Sequence, residues 1–305
     1  MKTNRKNYYA NNKIVITFLI LAVISIAFTA CSSKDNDKTK KDSSKTDLTT
    51  PAKAEEAKWP TGNDATWSSD GHGGWITLPY DSKAPACPDP LNLNLPTTNI
   101  DQATSILYPG QSRSGTYEGL GGTYKAHGGF RFDNNQTNEI EVVMPFNGSI
   151  TRAVSLLIDG EPQYGFDIQN ECGIMIRLGH LHDLTPKFQK IVDALPVGTV
   201  ANSESQKIEP SIPFKQGDVI ATVVGFKNSH NVGFDYGVYD LRSNNEASKD
   251  PAYVKAHSDT AELSYHGLCW LENLNDKDKA IVKALPAGDQ TTGKTSDYCN
   301  STLGN

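Results

Sequence analysis

The sequence predicts a mainly β protein, an antiparallel sheet or sandwich with a few short helices. Three features carry that expectation. Between residues 121 and 242 the apolar runs are short, and several alternate with polar residues, as half-buried strands do. Turn pairs such as Asn147-Gly148 and Asp159-Gly160 punctuate them. Amphipathic helical spacing over more than two turns is limited to Leu184–Leu195 and Lys277–Leu285. No internal repeat is present.

Taken in order, Trp59 to Pro96 is rich in Pro, Gly and Asp, an irregular wrap with a short strand at Gly74–Leu78. Its tryptophans, Trp59, Trp67 and Trp75, read as packing anchors for a segment poor in regular structure, with a sugar-lining role as the alternative. Ile100–Leu107 reads as one or two helical turns capped by Asn99 or Asp101. Strands are expected at Gly129–Asp133, Glu139–Met144, Ser149–Ile158, Gln163–Gln169, Gly173–Leu178, Asp218–Val224 and Gly233–Leu241. Ile174 and Ile176 share one strand face. In Leu184–Leu195, Phe188, Ile191, Val192 and Leu195 form an apolar stripe, and Pro186 fits the first turn.

The chain's 29 basic and 35 acidic residues are unevenly placed. Residues 1–30 hold four cations and no acid, so the remainder has 25 basic against 35 acidic residues, a net charge of −10. Such a body has no general attraction for nucleic-acid phosphates, and no nucleic-acid partner is expected. Lys2–Lys13 is basic and polar, and Ile14–Ala30 is an uncharged apolar run of 17 residues. This is the pattern of an export signal at residues 1–30. Phe28-Thr29-Ala30-Cys31 resembles the lipobox of bacterial lipoproteins, which implies lipidation of Cys31 and an extracytoplasmic protein held on a bacterial membrane. An uncut signal anchor is the alternative. Residues 31–58 then form a flexible tether, its seven lysines from Ser32 to Lys58 nearly balanced by six acids.

With Cys31 reserved for lipid, Cys87, Cys172, Cys269 and Cys299 remain, an even number suited to disulfides outside the cytoplasm. No pair has C-x-x-C spacing. We expect Cys269–Cys299 because the segment between them has little core of its own; the pairing of Cys87 and Cys172 is left open.

Five further segments stand in a telling order. Ala126-His127-Gly128-Gly129-Phe130 precedes Met144-Pro145-Phe146-Asn147-Gly148-Ser149-Ile150. Ile176-Arg177-Leu178-Gly179-His180-Leu181 follows. Phe214-Lys215-Gln216-Gly217-Asp218-Val219-Ile220-Ala221 and Gly233-Phe234-Asp235-Tyr236-Gly237-Val238-Tyr239-Asp240 close the series. Their order and glycine turns resemble the lysostaphin/LytM-type zinc endopeptidase domain, a family of peptidoglycan hydrolases on the duplicated-hybrid-motif β fold. The resemblance spans residues 121–242. It leaves residues 59–120 as an irregular N-terminal wrap and 243–305 as a C-terminal extension with a helix and a disulfide.

In that family a first His, an Asp four residues later and the last His of H-x-H hold zinc, and two further histidines assist. Position by position, His127 matches the first ligand and His180 an assisting histidine. The Asp position is Arg131, and the H-x-H positions are Asp235 and Gly237. A guanidinium cannot ligate a metal, and glycine has no donor. The resemblance therefore implies a degenerate, non-catalytic cleft of His127, Arg131, Asp133, His180 and Asp235, with no cofactor. It would bind peptidoglycan, another glycan or an envelope protein. The alternative is an active peptidoglycan endopeptidase with a rearranged ligand set. His127, Asp133 and Asp235 would then hold zinc or another divalent metal, His180 would be catalytic, and His182 would be a further candidate. Without a metal, Arg131 would bridge Asp133 and Asp235. His72, His230, His257 and His266 read as surface or structural residues. No G-x-S-x-G, P-loop or H-E-x-x-H motif is present.

Overall fold

The computed structural model describes residues 59–60, 65–80, 82–113, 123–199 and 202–299. The expected export signal, Cys31 and the expected tether lie outside them. The described residues belong to one unit, 54–305.

The strands are β1 (Thr66–Ser69), β2 (Trp75–Leu78), β3 (Ser105–Leu107), β4 (Gln111–Ser112), β5 (Tyr124–Lys125), β6 (Gly128–Arg131) and β7 (Val142–Val143). They continue with β8 (Gly148–Ile158), β9 (Glu161–Gln169), β10 (Ile174–Leu184), β11 (Val197–Thr199), β12 (Gln206–Phe214), β13 (Val219–Val224) and β14 (Gly233–Asp240). The α-helices are α1 (Pro186–Val192), α2 (Pro251–Ala256), α3 (Ala261–Ser264) and α4 (Asp276–Ala284). The protein is mainly β, as the sequence predicts. Among the described residues no helix is long and apolar enough to cross a membrane.

Ten strands form one sheet, in the order β11-β8-β9-β10-β14-β6-β3 along its main path, with β12 beside β8 and β13 between β10 and β7. All pairings are antiparallel except β11 with β8. The β8–β9 hairpin closes on Asp159 and Gly160, both at positive φ, as the Asp-Gly turn predicts. One face of the sheet carries the main core, where Phe130, Phe166, Ile168, Ile174, Ile176, Leu178 and Tyr236 meet Trp270 from the C-terminal segment. The sheet also draws on segments either side of residues 121–242. β3 pairs with β6, Leu93 bridges Leu274, and Tyr239 bridges Gly267.

Cys269–Cys299 is bonded as expected, and the second disulfide joins Cys87 to Cys172. The tryptophans turn inward. Trp59 is buried against Phe146, while the Trp67 and Trp75 indoles donate to the carbonyls of Glu171 and Glu262.

Some elements differ from expectation. Ile100–Gln102 is a single 3-10 turn, and Ser105–Leu107 is a strand rather than more helix, because Ile106 is drawn into the core beside Phe130. In Glu139–Met144 only Val142 and Val143 pair as a strand. The backbone of Glu141 is engaged instead by side chains, with its N–H donating to Asn99 and its carbonyl accepting from Thr97. β12 has no counterpart among the expected strands.

Candidate functional site

The cleft lies on the sheet face opposite the main core, and register explains its lining. Residues opposite one another in paired strands share a face. Arg152 stands opposite Asp167, Asp167 opposite Arg177, and Arg177 opposite Gly237. One step along, Val154 faces Gly165, and Gly179 faces Asp235, which faces Gly129. Glycines keep this floor low. A Cβ on Gly179 would stand 3.3 Å from Asp235 Oδ2. The resulting cleft is about 300 Å3, with Val154, Leu156 and Ile158 on one wall and His127, His180 and Asp235 at the other.

His180 is placed by an irregularity in β10. Up to Gly179 the strand pairs with β14, and from Leu181 it pairs with β13. At the fork the register with β9 shifts between Leu178 and Leu181, so one extra residue stands between two core leucines. That residue, His180, has φ +58°, a conformation uncommon outside glycine but better tolerated by Asn, Asp and His than by other side chains. The Gly225 N–H donates to its carbonyl at 2.7 Å. The imidazole is thus turned into the cleft.

Asp235 is the hub. His127 Nε2 is 3.2 Å and His180 Nε2 3.4 Å from its Oδ2, and Arg113 Nη1 is 3.8 Å from its Oδ1. Arg113 also donates from Nη2 to the His127 carbonyl at 2.6 Å, fixing that strand entry. Burial opposes ionisation of Asp235. The two imidazoles and the guanidinium outweigh it and hold the carboxyl far below the ordinary carboxylate range. Burial also depresses the basicity of His127, against the pull of Asp235. These directions conflict, since a neutral imidazole lends no full charge. Arg113 remains a cation at neutral pH in spite of its own burial.

Gln163 joins two histidines. Its Nε2 donates to the Gly225 carbonyl at 3.0 Å and lies 2.7 Å from His182 Nε2, while its Oε1 lies 3.1 Å from His180 Nδ1. The Gly225 contact sets the amide orientation, so Nδ1 of His180 is the N–H. His182 is buried, 3.6 Å from Glu161, whose carboxylate accepts the N–H groups of Lys227 and Asn228.

The structure brings together three of the five cleft residues expected from sequence: His127, His180 and Asp235. Arg131 and Asp133 pair with each other away from that group, with Arg131 Nη2 2.5 Å from Asp133 Oδ1. β6 ends at Arg131, and Asp133 sits in a turn held by Thr104, so the two do not continue one strand face toward Asp235. The other contact of Arg131 is Asn231, at 3.0 Å. The cation on Asp235 is therefore Arg113 rather than the bridging Arg131. Arg113 and Gln163 carried no motif in the sequence. A basic residue 14 positions before His127 and a glutamine in a hairpin become visible only once the strands pair.

A zinc site of the family type does not fit these residues. Arg131 occupies the Asp position and is tied to Asp133. At Gly237 a Cβ would lie 2.6 Å from Tyr239 Oη and 2.9 Å from His127 Cβ, so Tyr239 fills the space a ligand side chain would need. Among the described residues no group of three or more His, Cys, Asp and Glu side chains has metal-holding geometry. The remaining histidines have local partners. His266 lies between the carbonyls of Gly73, Asp240 and Ser243, His257 packs on Tyr124, and His230 meets the Asn135 carbonyl. His72 lies in a turn at the edge of a second cleft.

Compared with protein-family models, curated proteins and solved structures, the chain matches none.

Proposed function

We propose that the chain is a membrane-anchored cell-envelope lipoprotein whose Asp235 cleft binds peptidoglycan or another envelope polymer without hydrolysing it. The observation that carries this is the closed set of contacts around Asp235. Two imidazoles and Arg113 already surround its carboxylate, and Tyr239 fills the space beside Gly237. What remains open is an apolar wall and a polar end, a shape for holding an extended chain rather than activating water. The test is cosedimentation of the full-length protein, in detergent, with insoluble peptidoglycan. Wild type should pellet with it, Leu156→Arg should not, and no cell-wall peptides should be released. Equal pelleting of both proteins overturns the assignment of the cleft.

One observation favours the second reading, a metal-dependent endopeptidase with a rearranged ligand set. His127 Nε2 and His180 Nε2 converge on Asp235 Oδ2 at 3.2 and 3.4 Å, so two imidazole nitrogens and one carboxylate oxygen could share a cation. The set would then be His127, His180 and Asp235, without Asp133. Metal analysis of protein purified without added metal separates the two. Stoichiometric zinc together with chelator-sensitive release of cell-wall peptides would establish the hydrolase.

A further inference from the structure

A second cleft adjoins the first. It measures about 830 Å3 and lies between the β1–β2 turn, residues 203–205 and residues 258–265. It shares Arg177, Ser203 and Ser205 with the Asp235 cleft, so the two are continuous along the sheet face. The β1–β2 turn and residues 258–265 both lie outside residues 121–242. We infer that this second cleft is a binding subsite for a neutral, hydroxyl-rich oligosaccharide.

The chemistry of the walls selects that class. Both guanidinium groups are already paired. Arg177 donates from Nε and Nη2 to Asp167 at 2.7 Å each, and Arg152 Nη1 is 3.3 Å from Glu262 Oε2. The cleft also holds the carboxylates of Glu204 and Asp259, so an anionic ligand meets unfavourable charge. A cationic ligand meets only the exposed carboxylates of Glu204 and Asp259, weak partners in water, because Glu262 is held by Arg152 and Ser69. The aliphatic lining is slight, chiefly Leu263, which removes the drive for an apolar ligand. What the walls offer is many hydrogen-bonding groups of both kinds. Ser203, Ser205 and Ser258 give hydroxyls, and Glu262 and Arg152 stand side by side as acceptor and donor, with Glu262 also accepting from Ser69. The side of the cleft is also fixed. Tyr265 donates its hydroxyl to the Val254 carbonyl at 2.7 Å, and Trp75 donates to the Glu262 carbonyl at 3.0 Å. Anchored side chains lose little freedom on binding, which favours a weakly held polar ligand.

The inference does not depend on what the Asp235 cleft holds, and its test uses different probes. Full-length protein in detergent is titrated calorimetrically with chitotetraose, cellotetraose and, as an anionic comparison, tetragalacturonate. A neutral oligosaccharide should bind with a Kd below about 1 mM. Asp259→Trp, which places a bulky ring at an exposed position of the cleft, should weaken that binding at least about tenfold while the thermal midpoint stays near the parent's. Ser258→Trp should act likewise. Absence of binding by both neutral probes, tighter binding of tetragalacturonate, or undiminished binding by both tryptophan variants would overturn the inference. Loss of peptidoglycan cosedimentation in Leu156→Arg with oligosaccharide binding intact would separate the two clefts.

Discussion

Gly237→Ala tests the claim that the ligand position the resemblance implies is closed by Tyr239. The added Cβ would stand 2.6 Å from Tyr239 Oη, 2.9 Å from His127 Cβ and 3.0 Å from Tyr239 Cε2. Carbon and oxygen in ordinary contact stay more than about 3 Å apart, so the phenol must move. Tyr239 is fully buried, and His127 closes the other side, so little room exists for the move. Overpacking of this kind costs about 1–3 kcal/mol, or a fall of roughly 2–12 °C in thermal midpoint for a chain of this size. Tyr239→Phe should by contrast be neutral or slightly stabilising, because its buried hydroxyl has no hydrogen-bond partner among the described residues. In the double variant the closest clash is gone. A coupling of at least about 0.5 kcal/mol should then appear in a double-mutant cycle by thermal denaturation. A Gly237→Ala midpoint within about 1 °C of the parent, or no coupling to Tyr239→Phe, would refute the argument. The same contact governs design. Arg131→Asp with Gly237→His should gain no zinc unless Tyr239 is also reduced to a small residue.

Four other outcomes are expected. Serine in place of Cys269 and Cys299, a 30-residue separation, should cost about 3–4 kcal/mol in chemical denaturation, and breaking Cys87–Cys172 somewhat more, the 85-residue loop being longer. At position 180, held at φ +58°, His180→Asn should be more stable than His180→Val by about 1–2 kcal/mol, since Asn tolerates the left-handed region and a β-branched residue does not. Burial lowers the pKa of both His127 and His182 in the folded state. The unfolded chain therefore binds more protons below about pH 6.5, stability should fall as pH drops through that value, and His127→Gln should flatten the slope. Intact mass of membrane-extracted protein should correspond to a chain beginning at a diacylated Cys31.

Local pattern made the central hairpins legible, because each is written in adjacent residues. Asp159-Gly160 fixes the β8–β9 turn, and the alternation of Ile174, Ile176 and Leu178 fixes the buried face of β10. β12 was hidden because Pro210 and Pro213 argue against a strand; it flanks β8 at the sheet edge, where a missing N–H is tolerated. His127, His180 and Asp235 were named through the resemblance, and the structure gathers those three. Asp133 was misplaced by assuming that β6 ran two residues further than it does. Arg113 could not be found at all, since its role arises from pairing across more than 100 positions.

The same distinction bears on what the cleft is for. A metal-ligand set is recognisable in sequence because each donor is fixed by type and spacing. Around Asp235 the donors are instead compensated by groups that no spacing rule requires: a half-buried arginine, a glutamine that sets an imidazole's proton, and a tyrosine in place of a side chain. Removing Arg113 shows which account holds. If the carboxylate is a fixed anchor, Arg113→Met leaves it half-buried beside two imidazoles without its permanent countercharge. Stability should drop by about 1–2 kcal/mol at neutral pH and recover in part with Asp235→Asn. If Asp235 is poised for a metal, Arg113→Met should instead raise zinc affinity, and zinc above its Kd should restore the lost stability with the logarithm of its concentration. Denaturation of both variants with and without zinc reads the two outcomes in one experiment. A stable Arg113→Met protein that ignores zinc would contradict both.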